Sequence, residues 1–199
     1  MKTYFSLSTT WAASLIVVWL LVAHALGQSF WMQQSSRDLV AFGAIKGANF
    51  RPDDIWRLLV SQWLHVKFPH MLLNALIIAC VGSAAEKQTG TIFAPLIGLT
   101  GGVLGQYCAV LLEPQGFISG ASQAYMSLCG LALVTIRWRS IGGIIGCLGV
   151  MIGVGLDVFV SDTGLIKIGH LAGLIFGLLS GLTIRLLKIW NRKDITRHT

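Results

Sequence analysis

The chain has 199 residues, of which 54% are hydrophobic and only 12% are charged, and its mean hydropathy is +0.72. Soluble domains carry about twice that charged fraction, so the composition excludes an ordinary soluble protein and indicates one that crosses a membrane several times. The net charge of +7 does not require nucleic acid, because anionic lipid headgroups are the nearer partners for basic loops.

Six apolar stretches follow one another, each near the length that spans a bilayer as a helix. Backbone groups cannot go unpaired in lipid, so the stretches predict an all-α membrane protein, a bundle of six transmembrane helices. The predicted spans are residues 10–27, 68–85, 91–112, 120–136, 141–160 and 166–188. Because the length leaves no room for a separate soluble domain, we expect a single membrane domain over residues 1–199.

The segments outside the spans have distinct compositions. The first span lacks a small-x-small cleavage pattern, so we expect it to be retained rather than removed as a signal peptide. The long first loop, residues 28–67, mixes aromatic and charged side chains, which suits a structure in the headgroup layer rather than a free linker. The polar tail from Trp190 is expected to be short and frayed.

The cysteines lie inside apolar stretches and have no C-x-x-C spacing, so they are predicted to be small packing residues without a disulfide or metal role. They are Cys80, Cys108, Cys129 and Cys147. We expect no metal and no cofactor.

The basic residues predict the orientation. An even number of spans places both termini on one side, and that side carries most of the Lys and Arg. Its basic residues are Lys2, Lys87, Arg137, Arg139, Arg185, Lys188, Arg192, Lys193 and Arg197. The short opposite loops, 113–119 and 161–165, are nearly free of them. The positive-inside rule therefore predicts that both termini are cytoplasmic.

Polar side chains recur at one depth of the predicted bundle. With this orientation the second, fourth and sixth spans all run from outside to inside, and their first turns carry His70, Ser122 and His170. Asn74 lies on the same helix face as His70, one turn deeper. Because hydrocarbon penalises such groups, their recurrence near the outer face indicates a functional site.

Glycines of the sixth span predict which helix it contacts. Residues 169, 173, 177 and 181 are all glycine, a stripe that lets another backbone approach closely. We expect the stripe to face the fourth span, which has its own small residues. These are Gly120, Ala121, Ser127 and Gly130.

The convergent residues suit acyl transfer. A serine hydroxyl needs a base to take its proton, and the His170 imidazole is the candidate base for Ser122. An oxyanion needs fixed donors, for which the candidates are the Ser122 backbone N–H, the Asn74 amide and the His70 imidazole. Each residue taken alone also has a structural explanation: a serine bonded to its own helix, or an asparagine between helices.

Other intramembrane chemistries fit less well. A zinc protease would need H-E-x-x-H, which is absent, and His65 and His70 are five residues apart, so they do not share a helix face. The structural explanation for His65 alone is that it faces headgroups at the edge of the long first loop. An aspartyl mechanism needs two carboxylates, and Asp157 is the only one well inside a span. We expect Asp157 to reach the interface or pair with a neighbour; orienting His170 is the less favoured alternative.

At these residues the chain resembles the rhomboid family of intramembrane serine proteases, with matches in order over almost its whole length. The resemblance rests on Trp56-Arg57 (WR), His65, His70 and Asn74 (H-x4-H-x3-N), Gly82 and Glu86 (G-x3-E), Gly120-Ala121-Ser122 (the start of GxSG), and His170, Gly173 and Gly177 (HxxGxxxG). The six-span length is similar to the minimal prokaryotic form.

The resemblance implies a function and a site. Ser122 would be the nucleophile, His170 the base, and His70 with Asn74 the oxyanion donors. Substrates would be single-span membrane proteins that enter beside the second and fifth spans and are cut near the outer end of their helix. The glycine-rich fifth span, 141–160, would suit a movable gate, with loose packing as the plainer explanation. The location implied is a bacterial cell membrane.

The chain departs from the family pattern after the serine. Gln123 stands where glycine is usual, and it would either crowd the oxyanion site or offer another donor. Met126 stands where an aromatic often stacks on the histidine, with Tyr125 one place early, and Ser127 replaces a smaller residue.

Two function classes follow from the resemblance. The first is a serine endopeptidase whose partners are transmembrane substrates and the lipid bilayer. The alternative is a catalytically silent relative that binds transmembrane helices, and retention of both Ser122 and His170 favours the enzyme. A small transporter is a distant third, since no broken helix pair or chain of charges supports it.

Overall fold

The structure, a computed structural model, describes residues 6–137, 139–159 and 165–197, with side chains as far as residue 187. Its helices are α1 (Leu7–Ala25), α2 (Ser36–Phe42), α3 (Arg57–Val60), α4 (Phe68–Ile77), α5 (Ser83–Thr89), α6 (Phe93–Leu112), α7 (Ser122–Thr135), α8 (Ile141–Phe159) and α9 (Ile168–Arg197). A π-helical turn, Ile78–Gly82, joins α4 and α5 into one rod. Strand β1 (Ile45–Lys46) pairs antiparallel with β2 (Phe117–Ile118).

Five of the described helices are long and apolar enough to cross a membrane. They are Leu7–Ala25, Phe68–Thr89, Phe93–Leu112, Ile141–Phe159 and Ile168–Leu187, which correspond to five of the six predicted spans. The remaining predicted span, 120–136, is α7, whose 14 residues cover about 21 Å, less than the roughly 30 Å of a hydrocarbon core. The all-α class with several candidate spans is thus confirmed, whereas the count of six stays a prediction.

Helix α7 is short because it lies at the centre of the bundle. Its side chains from Ser122 to Ala132 are all buried, and its neighbours are α6, α8 and α9. A helix that is buried by protein over most of its length has no need to match the bilayer thickness with that length.

The last helix is longer than predicted. Helix α9 runs from Ile168 to Arg197, so the expectation of a frayed tail from Trp190 was wrong for the backbone. The physical reason is compositional: beyond Gly181 the helix contains neither glycine nor proline, the two residues that most strongly end a helix.

The long first loop is built around one arginine. The Arg57 guanidinium donates to Asp54 Oδ1 at 2.7 Å and to the Val40 and Ala44 carbonyls at 2.7 and 3.2 Å, and it stacks over the Trp56 ring at 4.6 Å. The hydrogen bond from Arg57 lowers the pKa of Asp54. These contacts tie α2 to α3, so this loop is a folded structure rather than a linker.

The glycine stripe of α9 faces α7, as predicted. A Cβ added at Gly173 would collide with the backbone of Gln123, and one at Gly177 would collide with the carbonyl of Ser127. Gly130 of α7 in turn lies against the Leu174 carbonyl. Gly120 does not take part in this contact, because it lies against the rings of His65 and His70 instead.

Candidate active site

Ser122 and His170 are in contact at the outer-facing end predicted for the bundle. Ser122 is the first residue of α7, and His170 lies in the first turn of α9. Ser122 Oγ and His170 Nε2 are 2.7 Å apart, and both side chains are buried. The close backbone contact at Gly173 explains this proximity, because it brings the start of α9 against Gln123, while Gly169 lies against the Gly105 carbonyl of α6.

Asp157 lies on the other side of the imidazole. Its Oδ2 is 2.6 Å from His170 Nδ1 and accepts from the Lys167 backbone N–H at 3.0 Å, and the residue is 1% exposed. Of the alternatives from sequence, pairing is therefore correct and reaching the interface is wrong. Asp157 contacts the His170 imidazole, which was the less favoured partner in the sequence analysis. The contact forms because α8 and α9 bring both residues to the same depth.

His65 is buried, which rules out the structural explanation that it faces headgroups. Its Nε2 accepts from Asn74 Nδ2 at 2.8 Å and from the Ala121 backbone N–H at 3.3 Å, and its Nδ1 lies 3.2 Å from the Trp63 carbonyl. This pattern requires a neutral ring that carries its proton on Nδ1. Burial lowers the pKa of His65 to about 3, which keeps the ring in that form.

The turn before Ser122 is fixed by polar contacts from α6 and the long first loop. Gly120 has a φ of 105°, a left-handed conformation that favours glycine. Its N–H donates to the Ser61 carbonyl at 2.9 Å, and its carbonyl accepts from Gln106 Nε2 at 3.2 Å. Ser61 Oγ donates to Gln106 Oε1 at 2.5 Å and closes the network. Sequence reasoning missed Ser61 and Gln106, since no pattern linked them to this turn.

A cavity of about 450 Å³ borders the imidazole. Its lining includes His70, Tyr125, Lys167 and His170. The Tyr125 ring lies 6.5 Å from the His170 ring at 39°, within the range of ring–ring contact, although Tyr125 is one position earlier than the family's usual aromatic.

The Gln123 side chain packs against α6 and α9, and it is not among the described residues that line the cavity. A Cβ added at Gly105 would lie 2.8 Å from Gln123 Cβ, and one added at Gly169 would lie 3.2 Å from Gln123 Cγ. Gln123 Oε1 accepts a long hydrogen bond of 3.3 Å from Ser122 Oγ. Gln123 is thus a second acceptor for the serine proton, weaker than the imidazole at 2.7 Å.

The four predicted site residues have different surroundings. Ser122 and His170 touch each other, and His70 borders the cavity next to His170. Asn74 is fully buried on α4 and is held by His65, while its Oδ1 has no partner in the described part of the chain. Among described residues, no group of three or more His, Cys, Asp or Glu is placed to hold a metal ion.

The sequence profile of the Rhomboid domain matches residues 52–186, which include every residue of this site. The chain belongs to the rhomboid family. Similar proteins include the rhomboid protease GluP of Bacillus subtilis, 30% identical over a match of 161 residues that covers 77% of this chain and 31% of that protein. RHOMBOID-like protein 7 of Arabidopsis thaliana is 30% identical over 75% of this chain and 50% of its own length.

A third relative is Rhomboid-like protease 2 of Toxoplasma gondii, 32% identical over 72% of this chain and 53% of that protein. This rhomboid-family chain therefore spans between about a third and about half of the length of these relatives.

Proposed function

We propose that this rhomboid-family protein is an intramembrane serine endopeptidase that cleaves single-span membrane proteins with a Ser122–His170 dyad. The observation that carries the proposal is the 2.7 Å contact between Ser122 Oγ and His170 Nε2, which is buried and lies beside a cavity. A buried serine hydroxyl with an imidazole as its acceptor is the arrangement that nucleophilic acyl transfer requires.

The chemistry proceeds in two halves. In the first, His170 Nε2 takes the proton of Ser122 Oγ as the oxygen attacks a peptide carbonyl, and the protonated imidazole then donates that proton to the leaving amine. In the second, a water attacks the acyl-enzyme, His170 takes the water proton, and Ser122 regains a proton as the new carboxyl leaves. Atoms and charges balance over the cycle, and no cofactor is needed.

The oxyanion formed in each half needs fixed donors. Ser122 is the first residue of α7, so its backbone N–H has no acceptor within the helix, and the positive end of the helix dipole lies there. We assign His70 and Asn74 as the side-chain donors. Their support is that His70 borders the cavity and that the contact from His65 fixes the Asn74 amide.

The proposal includes a topology. Residues 1–199 form one six-span domain in a bacterial cell membrane, with α7 as the buried span and both termini cytoplasmic. The site then lies near the outer face, and a substrate helix reaches it from the lipid between α4 and α8. The cavity is lined from both these helices, by Leu73 of α4 and Leu156 of α8, which supports entry from that direction.

The test is cleavage of a labelled single-span substrate by the purified protein in lipid vesicles. Ser122→Ala and His170→Ala should each lower the rate by roughly 10⁴-fold or more, since each removes a member of the reacting pair. Ser127→Ala is the matched control for the serine, because Ser127 is buried one turn deeper in α7 and bonds the Ile97 carbonyl at 3.0 Å. His24→Ala, an exposed histidine of α1, is the control for the imidazole.

The outcomes separate the two function classes. Equal cleavage by the parent chain and both dyad variants would remove the assignment of the dyad. A parent chain that binds the substrate helix without cutting it, and that does not react with a fluorophosphonate, would instead identify a silent helix-binding relative.

A further inference from the structure

We propose that Asp157 is a positioning residue that completes a Ser122–His170–Asp157 triad, so that this chain does not operate as a bare dyad. The inference rests on the proposed function and adds a third residue to its site. It is carried by the line of contacts in which Asp157 Oδ2 lies 2.6 Å from His170 Nδ1 and His170 Nε2 lies 2.7 Å from Ser122 Oγ.

The carboxylate is held in place independently of the histidine. Asp157 Oδ2 also accepts from the Lys167 backbone N–H at 3.0 Å, and Lys167 Nζ lies 3.9 Å from Oδ1. Asp157 is buried at 1% exposure, and His170 at 6%. A carboxylate fixed by a backbone donor defines the position of the ring that bonds to it, and a charge-assisted bond of this length is among the stronger hydrogen bonds in proteins.

The contact with Asp157 controls which tautomer the His170 ring adopts. A neutral imidazole has one N–H, and His170 is a base for Ser122 only when that hydrogen is on Nδ1 and the lone pair is on Nε2. A carboxylate can only accept, so Asp157 requires the hydrogen on Nδ1. Without it, the hydrogen on Nε2 would point at Ser122 and the serine would lose its acceptor.

The same contact supports the reacting state. When the Ser122 proton moves to Nε2, the imidazole becomes positive between the serine and a buried carboxylate. Asp157 stabilises that charge and stays unprotonated, and the Nδ1 hydrogen stays on the ring throughout. The transferred proton leaves from Nε2 to the amine, as in the proposed cycle.

The first test measures kcat and KM of Asp157→Asn and Asp157→Ala against a single-span substrate in vesicles. We expect kcat to fall by about 10²-fold or more with KM within roughly threefold, because binding does not use Asp157. The matched control is Glu86→Gln, which alters another buried carboxylate, bonded to the Ser8 backbone N–H at 2.6 Å at the far end of the bundle. That variant should keep kcat within roughly threefold below its unfolding temperature.

The second test needs no variant that must stay active. Nitrogen-15 spectra of the histidine-labelled protein report the tautomer of each neutral ring, and the signal lost in His170→Ala assigns His170. We expect hydrogen on Nδ1 in the parent chain and a shift toward Nε2 in Asp157→Asn. A parent His170 with its hydrogen on Nε2 overturns the inference even if both Asp157 variants fail to fold.

Failure of the Asp157 inference and failure of the proposed function give different results. If the parent chain cleaves and Asp157→Asn keeps its kcat within about threefold, Asp157 has no positioning role and the proposed function stands. If the parent chain does not cleave, the proposed function fails, and the tautomer then decides whether the Asp157 contact still orients the ring.

Discussion

Helix α7 contacts two glycine-rich helices, and the two contacts are of different kinds. On the α9 side, Gly173 and Gly177 lie directly against backbone atoms of Gln123 and Ser127, with no room for a Cβ. On the α8 side, a Cβ at Gly153 would meet the ends of side chains, Tyr125 Oη at 2.7 Å and Met126 Sδ at 3.0 Å.

The difference lies in what each contact can accommodate. A carbonyl inside a helix cannot turn away, whereas the end of a tyrosine or methionine side chain moves with its rotamer. Ser122 and His170 therefore sit on two helices whose separation the backbone fixes. Asp157 lies on α8, whose contact with α7 can adjust, so the distance from Asp157 to His170 depends on the hydrogen bonds that Asp157 makes.

The largest predicted effect falls on the α7–α9 contact. Gly177→Ala should lower the free energy of unfolding by roughly 3 kcal/mol or more, because the added methyl meets the Ser127 carbonyl and the helices must separate. Chemical denaturation in mixed micelles measures this. Cleavage should fall together with stability, since the same shift moves His170 from Ser122. A stable Gly177→Ala with full activity would contradict the idea of a fixed pair.

The next effect concerns the polar contact at the start of α7. Because the pKa of His65 is about 3 in the folded protein and 6.5 is its ordinary value, the unfolded chain binds the extra proton between those pH values. This contribution to stability is complete above pH 6.5 and is lost as the pH falls toward 3. Between pH 7.5 and 5.5 it should lower the free energy of unfolding by about 1.4 kcal/mol.

The comparison for that prediction is His65→Gln, measured at the same two pH values. Other histidines titrate in both proteins, so the difference between the two pH slopes isolates His65. Equal slopes would show that protonated His65 is accommodated in the fold, and that its contacts with Asn74 and Ala121 do not hold the turn.

Much of this arrangement is predictable from the sequence, for physical reasons. Apolar length located five candidate spans, the glycine period identified the face of α9, and common depth selected Ser122 and His170. Each of these signals arises from a requirement that lipid or close packing imposes on a single segment, so it can be recognised in the local sequence.

The features that could not be predicted from the sequence depend on which helices are neighbours. The side chains of α7 from Ser122 to Ala132 are buried by protein rather than by lipid, so hydropathy could not indicate that the helix is short. His65 and Asp157 were misjudged because burial by protein and burial by headgroups look alike in sequence. A usable signal existed for Asp157, since consecutive spans with a short connection bring 157 and 170 to one depth.

The adaptable side of α7 is tested by Gly153→Ala. The added methyl would displace the ends of Tyr125 and Met126, so we expect a loss of about 1 kcal/mol in the free energy of unfolding, well below that of Gly177→Ala. Because Tyr125 lies beside His170, kcat/KM should fall severalfold even where the protein is fully folded. A loss of stability as large as that of Gly177→Ala would mean that α8 is packed as rigidly as α9.

The smallest effect is expected at Gly155, only two residues further along α8. In the described part of the chain, a Cβ at Gly155 would meet no atom within 4 Å. Gly155→Ala should therefore raise the free energy of unfolding by roughly 0.5–1 kcal/mol, since alanine loses less conformational entropy in a helix.

Denaturation and cleavage of Gly155→Ala, measured together, test whether catalysis uses bending of α8. Higher stability with unchanged kcat would mean that catalysis does not use bending of α8 at this point, whereas higher stability with lower kcat would mean that it does. A destabilised Gly155→Ala would contradict the open space that the structure shows beside Gly155.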